Sequence, residues 1–352
     1  MIDSENLSSL AIRLRDNLSF PWNFNPAAED FTAWKARTRQ TVVDALGIHT
    51  ISPATASMVG HWDADSYTGQ ELELSFSNGE TTRAYILKPK TELKTPAAVL
   101  FHDHGSLFSI GKEKLIRRPD ERQVAAAASD SWADRLYGGR HIGNELARRG
   151  YTLICADALG WGSREGNGYE AQQALAANLM QFGFSYASVI LREDLECLAW
   201  LSNLPTVDAD RVAVIGYSMG GSRAWQASAL SDHAKLCIAG GWMGTLEGLM
   251  QPGNNQLRGQ SAFSMLHPQI AGKLDYPHFA ALGAPNPTLI FSGEDDRHFP
   301  KATANAAQQQ LRAIWKSAGT RALETKIWPG SAHAFPVEQQ DHAFDWLEQA
   351  LK

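Results

Sequence analysis

The sequence predicts an α/β protein built on a mostly parallel sheet with helices on both faces, and three observations predict it. From residue 97 onward, short strand-like runs alternate with stretches of helical character, the order that βαβ crossovers produce. One run, 211–216 (RVAVIG), is apolar without the alternation of a half-exposed strand, as expected of a strand buried on both sides. The chain has 352 residues, 44% of them hydrophobic, enough for one large or two modest domains with a sizeable core.

Residues 3–48 read as helical, and Phe31–Leu46 is amphipathic, with Trp34, Val42, Val43 and Leu46 toward one side. The expectation is an N-terminal helical extension over 1–60 that covers a catalytic domain over 61–352. Residues 71–77 and 81–89 alternate and are separated by Asn78-Gly79, a strong hairpin signal that gives the sheet an antiparallel entry. Further strands are expected at 97–102, 151–156, 211–216, 236–240, 288–292 and 324–328. Helices are expected at 141–149, 171–181, 185–203, 220–231, 302–316 and 338–351.

Two connections, 105–140 and 243–286, are too long for ordinary loops, and both follow the carboxyl ends of strands, where open α/β sheets carry ligand sites. They read as a rim or partial lid, with Trp132, Tyr137, Trp242, Met243, Met250, Phe263, Met265 and Tyr276 supplying apolar surface. The alternative is that these side chains pack inside the insertions.

The chemistry starts at Arg211–Gly221, where the buried run ends in G-x-S-x-G with Ser218 at the tip. Such an elbow places a serine between a strand and a helix in a strained conformation, with Gly216 and Gly220 where side chains would obstruct the turn. The helix starting near Met219 aims free N–H groups and its positive dipole end at whatever the serine attacks. The bland alternative is a glycine-rich turn of a dinucleotide fold, but a G-x-G-x-x-G fingerprint is missing here.

A serine hydroxyl is a poor nucleophile at neutral pH, so it needs a histidine to take its proton and a carboxylate to hold that histidine. After the strand PTLIFSG, the run GEDDRHFP offers Glu294, Asp295 and Asp296; Asp296 is the expected acid, the others solvated neighbours. After the last strand, GSAHAF places His333 in a loop before the final helix, and it is the expected base; His342 and His298 are weaker rivals. The oxyanion hole needs the Met219 N–H and a second donor from the loop after residues 97–102, which runs His102-Asp103-His104-Gly105-Ser106. That second donor is expected to be Ser106, or Gly105 under a one-residue shift. His104, Trp161, Trp242, Met243 and His298 are the candidates to line the substrate pocket.

His102-x-His104 also admits a metal reading, but a binuclear pattern wants an aspartate where Ser106 stands, and no later His/Asp cluster has matching spacing. No metal or organic cofactor is required by the serine chemistry. Gly111-Lys112-Glu113-Lys114 reads most simply as a solvated charge run; the alternative is that it touches substrate or orders the oxyanion loop. The formal charge of -6 and pI near 6.0 argue against nucleic acid as a partner. No segment approaches the roughly 18 apolar residues that span a bilayer, and the N-terminus lacks a signal-peptide pattern, so a soluble cytoplasmic protein is expected. Cys155, Cys197 and Cys237 are expected as buried free thiols. Apolar insertions make a homodimer the assembly considered.

Taken together, HDHG, D-x-x-G-x-G over 157–162, GYSMGG, GEDDRHFP and GSAHAF resemble the α/β-hydrolase superfamily, in its dienelactone hydrolase and acetyl xylan esterase-like branch. The resemblance covers residue 97 to the C-terminus. It implies the α/β-hydrolase fold, the order Ser, acid, His, and hydrolysis of small-molecule carboxylic esters, of acetylated sugars or of aromatic alcohols, through an acyl-enzyme. Dienelactone hydrolases proper carry a cysteine at the elbow; Ser218 stands there in this chain, so their lactone chemistry is not implied. The rival activities are a peptidase of the prolyl oligopeptidase type, for which the chain lacks a β-rich propeller region, and a catalytically silent binding module.

Overall fold

The structure is a computed structural model and describes residues 9–254 and 259–351. Nine strands form one sheet: β1 (Thr55–Asp63), β2 (Tyr67–Ser75), β3 (Thr81–Pro89), β4 (Thr95–Phe101), β5 (Thr152–Ala156), β6 (Val207–Tyr217), β7 (Leu236–Gly240), β8 (Thr288–Gly293) and β9 (Leu323–Trp328). Their spatial order is β1-β2-β3-β5-β4-β6-β7-β8-β9. The first three strands enter antiparallel and β3 pairs antiparallel with β5; every pairing from β5 through β9 is parallel. This is the α/β-hydrolase arrangement expected from the sequence.

The central strands divide their side chains between two apolar cores. Val99, Phe101, Val212, Val214 and Cys237 enter one, while Ala98, Leu100, Ala213, Ile215 and Leu236 enter the other. Successive residues on a strand point to opposite faces, so a strand apolar at both parities must be covered on both sides. The helices are α1 (Ser9–Asp16), α2 (Phe31–Leu46), α3 (Gln123–Tyr137), α4 (Ile142–Arg148), α5 (Gly168–Gln181), α6 (Tyr186–Ser202), α7 (Met219–Leu230), α8 (Leu246–Leu249), α9 (Tyr276–Ala281), α10 (Lys301–Ser317) and α11 (Val337–Ala350). Trp34, Val42, Leu198 and Leu311 bring α2, α6 and α10 to the first core, and Leu136, Leu146 and Phe344 bring α3, α4 and α11 to the second. All three cysteines are buried and free.

The N-terminal segment departs from a continuous helix. Residues 3–8 of that expectation lie outside the described residues, and α1 and α2 are separated by a loop containing Pro21 and Pro26. Proline lacks the N–H a helix needs and disfavours helical backbone in the residue before it. After the loop, Asp30 caps α2 by accepting from Thr32 and Ala33 N–H, and Gly47 ends it in the left-handed conformation at φ 69°. From residue 55 the chain is the edge strand β1, which was not expected. It is exposed along most of its length and irregular between Met58 and Gly60, so it carries no burial alternation to read.

The two long insertions hold secondary structure of their own. Residues 105–140 contain a short turn of 3₁₀ helix at Lys112–Lys114 and then α3, and 243–286 contain α8, a 3₁₀ turn at Gln260–Ser264 and α9.

Candidate active site

Strand β6 ends at Tyr217 and α7 begins at Met219, leaving Ser218 alone in the turn at φ 57° and ψ -127°. A non-glycine residue with positive φ is held there by its surroundings. The Ser218 N–H donates to Gly240 O at 2.8 Å, which ties the turn to β7. The flanking glycines are dictated by backbone packed against backbone: a Cβ on Gly216 would stand 2.0 Å from Gly220 O, and one on Gly220 would stand 2.0 Å from Phe101 O. Neither carbonyl can retreat as a flexible side chain could. Gly220→Ala is therefore expected to lower stability by more than about 3 kcal/mol, the range of severe overpacking, as thermal unfolding would measure.

The carboxyl ends of β8 and β9 bring two further groups to Ser218. Asp296 lies in the turn after β8, 2% exposed, and its Oδ1 accepts from His298 N–H at 2.8 Å and Phe299 N–H at 3.2 Å. Its Oδ2 is 2.7 Å from His333 Nδ1, and His333 Nε2 is 2.8 Å from Ser218 Oγ. Asp295 is exposed and takes no part, and His342 instead pairs with Glu324 at 2.7 Å on the last helix. Because Asp296 Oδ2 accepts, the proton of neutral His333 sits on Nδ1, leaving Nε2 as acceptor for the Ser218 hydroxyl. This is a hydrogen-bonded chain from carboxylate to imidazole to serine.

Ser218 and His333 open onto a cleft of about 280 Å³ that is also lined by Asp103, His104, Gly105, Ser106, Trp132, Arg135, Trp242, Ser261, Met265, His298 and Phe299. His104, Trp242 and His298 thus lie where the sequence reading puts them. Trp161 and Met243 do not: both are fully buried outside the cleft, and the Trp161 indole N–H donates to His104 O at 3.0 Å. Each sits in a wall behind the cleft surface because its large side chain packs into the core under the turn that carries it. His298 packs edge-on against His333 with ring centroids 4.7 Å apart, and burial followed by the charge of His333 lowers its pKa.

The oxyanion loop is corrected at one position. Gly105 and Ser106 both have positive φ, 62° and 53°, which folds the loop back so that Ser106 N–H donates to His104 Nδ1 at 3.1 Å. The expected donor Ser106 is thereby spent inside the loop. Among the described residues the N–H groups of Met219 and Gly105 have no intramolecular partner, so the one-residue-shifted alternative, Gly105, has the open donor. Burial, with Lys114 nearby, pushes the His104 pKa down to about 3, so its ring is neutral and its Nδ1 free to accept.

The metal reading of this loop meets committed donors. His102 Nδ1 donates to Asp103 O at 2.9 Å while its Nε2 accepts from Ala158 N–H at 3.1 Å, which uses both ring nitrogens. The GKEK run, expected as solvated, is buried: Lys112, Glu113 and Lys114 are 4%, 7% and 0% exposed. Lys112 Nζ contacts Asp157 Oδ2 at 2.9 Å and Glu113 Oε1 at 2.7 Å. Burial alone would lower the pKa of Lys112, but these carboxylates outweigh it and raise it. Paired charges can be buried where isolated ones cannot.

Comparison with known proteins extends what the geometry gives. YtaP of Bacillus subtilis (strain 168), which carries the name of a hydrolase, is 27% identical over 283 residues, spanning 80% of this chain and 88% of its own. Among solved structures, a glucuronoyl esterase from Solibacter usitatus matches with TM-score 0.63 and 13% identity over 94% of this chain and 97% of its own. Acetyl xylan esterase 1 from Thermoanaerobacterium sp. JW/SL YS485 matches with TM-score 0.56 and 19% identity over 97% and 98%. At such identities these two likenesses speak to the fold. The dienelactone hydrolase family model matches residues 136–350, more than half of the chain and inclusive of Ser218, Asp296 and His333. The chain therefore belongs to the dienelactone hydrolase family and is a carboxylic ester hydrolase.

Proposed function

We propose that the protein hydrolyses short-acyl esters of polyhydroxylated alcohols, such as acetylated sugars, by nucleophilic catalysis at Ser218. The observation that carries the reading is the unbroken chain Asp296–His333–Ser218, with contacts of 2.7 and 2.8 Å, at a cleft of only about 280 Å³. In this reading His333 Nε2 takes the hydroxyl proton as Ser218 Oγ adds to the ester carbonyl. Asp296 stabilises the imidazolium, and the N–H groups of Met219 and Gly105 hold the oxyanion. His333 then returns its proton to the leaving alcohol. Water, deprotonated by the same histidine, releases the acyl group and restores Ser218.

The cleft size supports a small acyl group. Pockets that hold drug-sized ligands run to roughly 300–1,000 Å³, so this one suits a small acyl group. Its lining pairs Trp242, Met265 and Phe299 with Arg135, Ser261 and His298, an apolar set for the acyl methyl and a polar set for hydroxyls of the alcohol. The acetyl xylan esterase named above acts, by name, on an acetylated carbohydrate, which supports the same choice.

The test is a p-nitrophenyl ester series from acetate to octanoate, followed by acetylated xylo-oligosaccharides. We expect kcat/KM to be highest at acetate or propionate and to fall by about tenfold or more by octanoate, the order of one misfitted alkyl group in a tight pocket. A profile rising toward octanoate would overturn the short-acyl assignment. Cleavage of aminoacyl amides without ester turnover would overturn the esterase assignment in favour of a peptidase.

A further inference from the structure

The buried GKEK run has a place in the site that the triad does not account for. Lys114 is fully buried beneath the oxyanion loop, and its Nζ donates to Asp103 O and to His104 O, both at 2.9 Å. The ammonium also lies 3.8 Å from Asp103 Oδ1 and over the rings of Trp132 and Trp161, at 5.5 and 6.0 Å from their centroids. Each of the two carbonyls has a second donor, His102 Nδ1 at 2.9 Å on Asp103 O and Trp161 Nε1 at 3.0 Å on His104 O.

We propose that Lys114 is a positioning residue for the oxyanion-binding loop: by holding the carbonyls of Asp103 and His104 from beneath, it turns the Gly105 N–H toward the cleft. The peptide unit is planar and trans, so its C=O and N–H point in opposite directions. His104 O shares a peptide with Gly105 N, and fixing that oxygen against a buried ammonium fixes the direction of the Gly105 N–H on the other side. Donors bound at the carbonyl also polarise the amide, which strengthens its N–H as a donor. The loop needs such a fixture because Ser106, a non-glycine residue, has positive φ, a conformation that its surroundings must impose.

The fixture is itself anchored. Lys112 N–H and Nζ both bind the Asp157 carboxylate, at 2.8 and 2.9 Å, and the Ser163 N–H closes on Asp157 Oδ2 at 2.9 Å. Ser129 of α3 donates to Glu113 O at 2.5 Å. The D-x-x-G-x-G turn and the GKEK run therefore form one buried unit with Lys114 at its tip. A side chain needed only for packing between Trp132 and Trp161 would be apolar, since burying an amine costs far more than burying a methylene chain.

The inference rests on the reading of Ser218 as nucleophile. Its test is Lys114→Met, which keeps an unbranched side chain one atom shorter and removes its donors, assayed with p-nitrophenyl acetate beside wild type and Ser218→Ala. We expect kcat to fall about 100-fold, the order of one lost oxyanion donor, with KM within about threefold. The Ki of a boronic acid, which mimics the tetrahedral intermediate, should rise in step with the fall in kcat. A structural role alone would lower the melting temperature and leave kcat and the boronate Ki of the folded enzyme at wild-type values, and that result would overturn the proposal. Should Lys114→Met not fold, Lys114→Gln decides. It keeps a polar side chain but is too short to hold both carbonyls, and we expect kcat to fall about tenfold at constant KM, the order of one net hydrogen bond. An unchanged kcat there would overturn the proposal. Turnover that survives in Ser218→Ala overturns the nucleophile reading and this proposal with it; turnover lost in Ser218→Ala but unchanged in Lys114→Met overturns this proposal alone.

Discussion

Ser218→Ala is expected to lower kcat for a p-nitrophenyl ester by about 10⁴-fold or more, equivalent to about 5.5 kcal/mol of transition-state stabilisation. Without Oγ no acyl-enzyme forms, and what remains is attack by water in a cleft that still holds two N–H donors and a histidine. The residual rate over the uncatalysed reaction should therefore not reach zero. The fold should be indifferent to the change. The turn is held by Ser218 N–H on Gly240 O and by the glycine packing of Gly216 and Gly220, none of which uses the hydroxyl. The measurement is steady-state kinetics with matched thermal unfolding curves. Activity within tenfold of wild type at an unchanged melting temperature would remove Ser218 from the chemistry.

What could be read from the sequence follows from how local each feature is. The elbow is a five-residue constraint: backbone approaches backbone at Gly216 and Gly220, so the residues that make it must be contiguous and leave a signature. Asp296 and His333 stand at the ends of strands whose apolar runs are themselves readable, and the structure brings both to Ser218. The features that escaped depend on partners distant in sequence. Lys112, Glu113 and Lys114 look solvated because Glu113 alone cannot balance two lysines; Asp157, 45 positions on from Lys112, supplies the second carboxylate in three dimensions. The Ser106 N–H is spent inside its own loop because two consecutive positive φ angles return it to His104, and a serine at positive φ is not predictable from composition. Strand β1 escaped because its edge position leaves both faces exposed, so the alternation by which strands are recognised never develops.

Asp296→Asn is expected to lower kcat by about 10⁴-fold with the site's geometry intact, through a forced change of tautomer. Asp296 Oδ1 is the acceptor for two backbone N–H groups, His298 at 2.8 Å and Phe299 at 3.2 Å. In the variant, the amide oxygen must take that position, because an NH₂ there would face two donors at hydrogen-bond distance inside a site that is 2% exposed. The NH₂ then faces His333 Nδ1 across 2.7 Å and donates to it. His333 is left with its proton on Nε2, where Ser218 Oγ stands at 2.8 Å, and can no longer accept the serine proton. The loss should appear in kcat and in the rate of phosphonate labelling of Ser218, with KM little changed. Asp295→Asn, one residue away and exposed, is the control and should stay within about twofold of wild type, as a surface substitution away from the chemistry does. Comparable losses in the two variants would mean that the charge of the turn matters rather than the hydrogen bond to His333, and would take from Asp296 the role of fixing the tautomer.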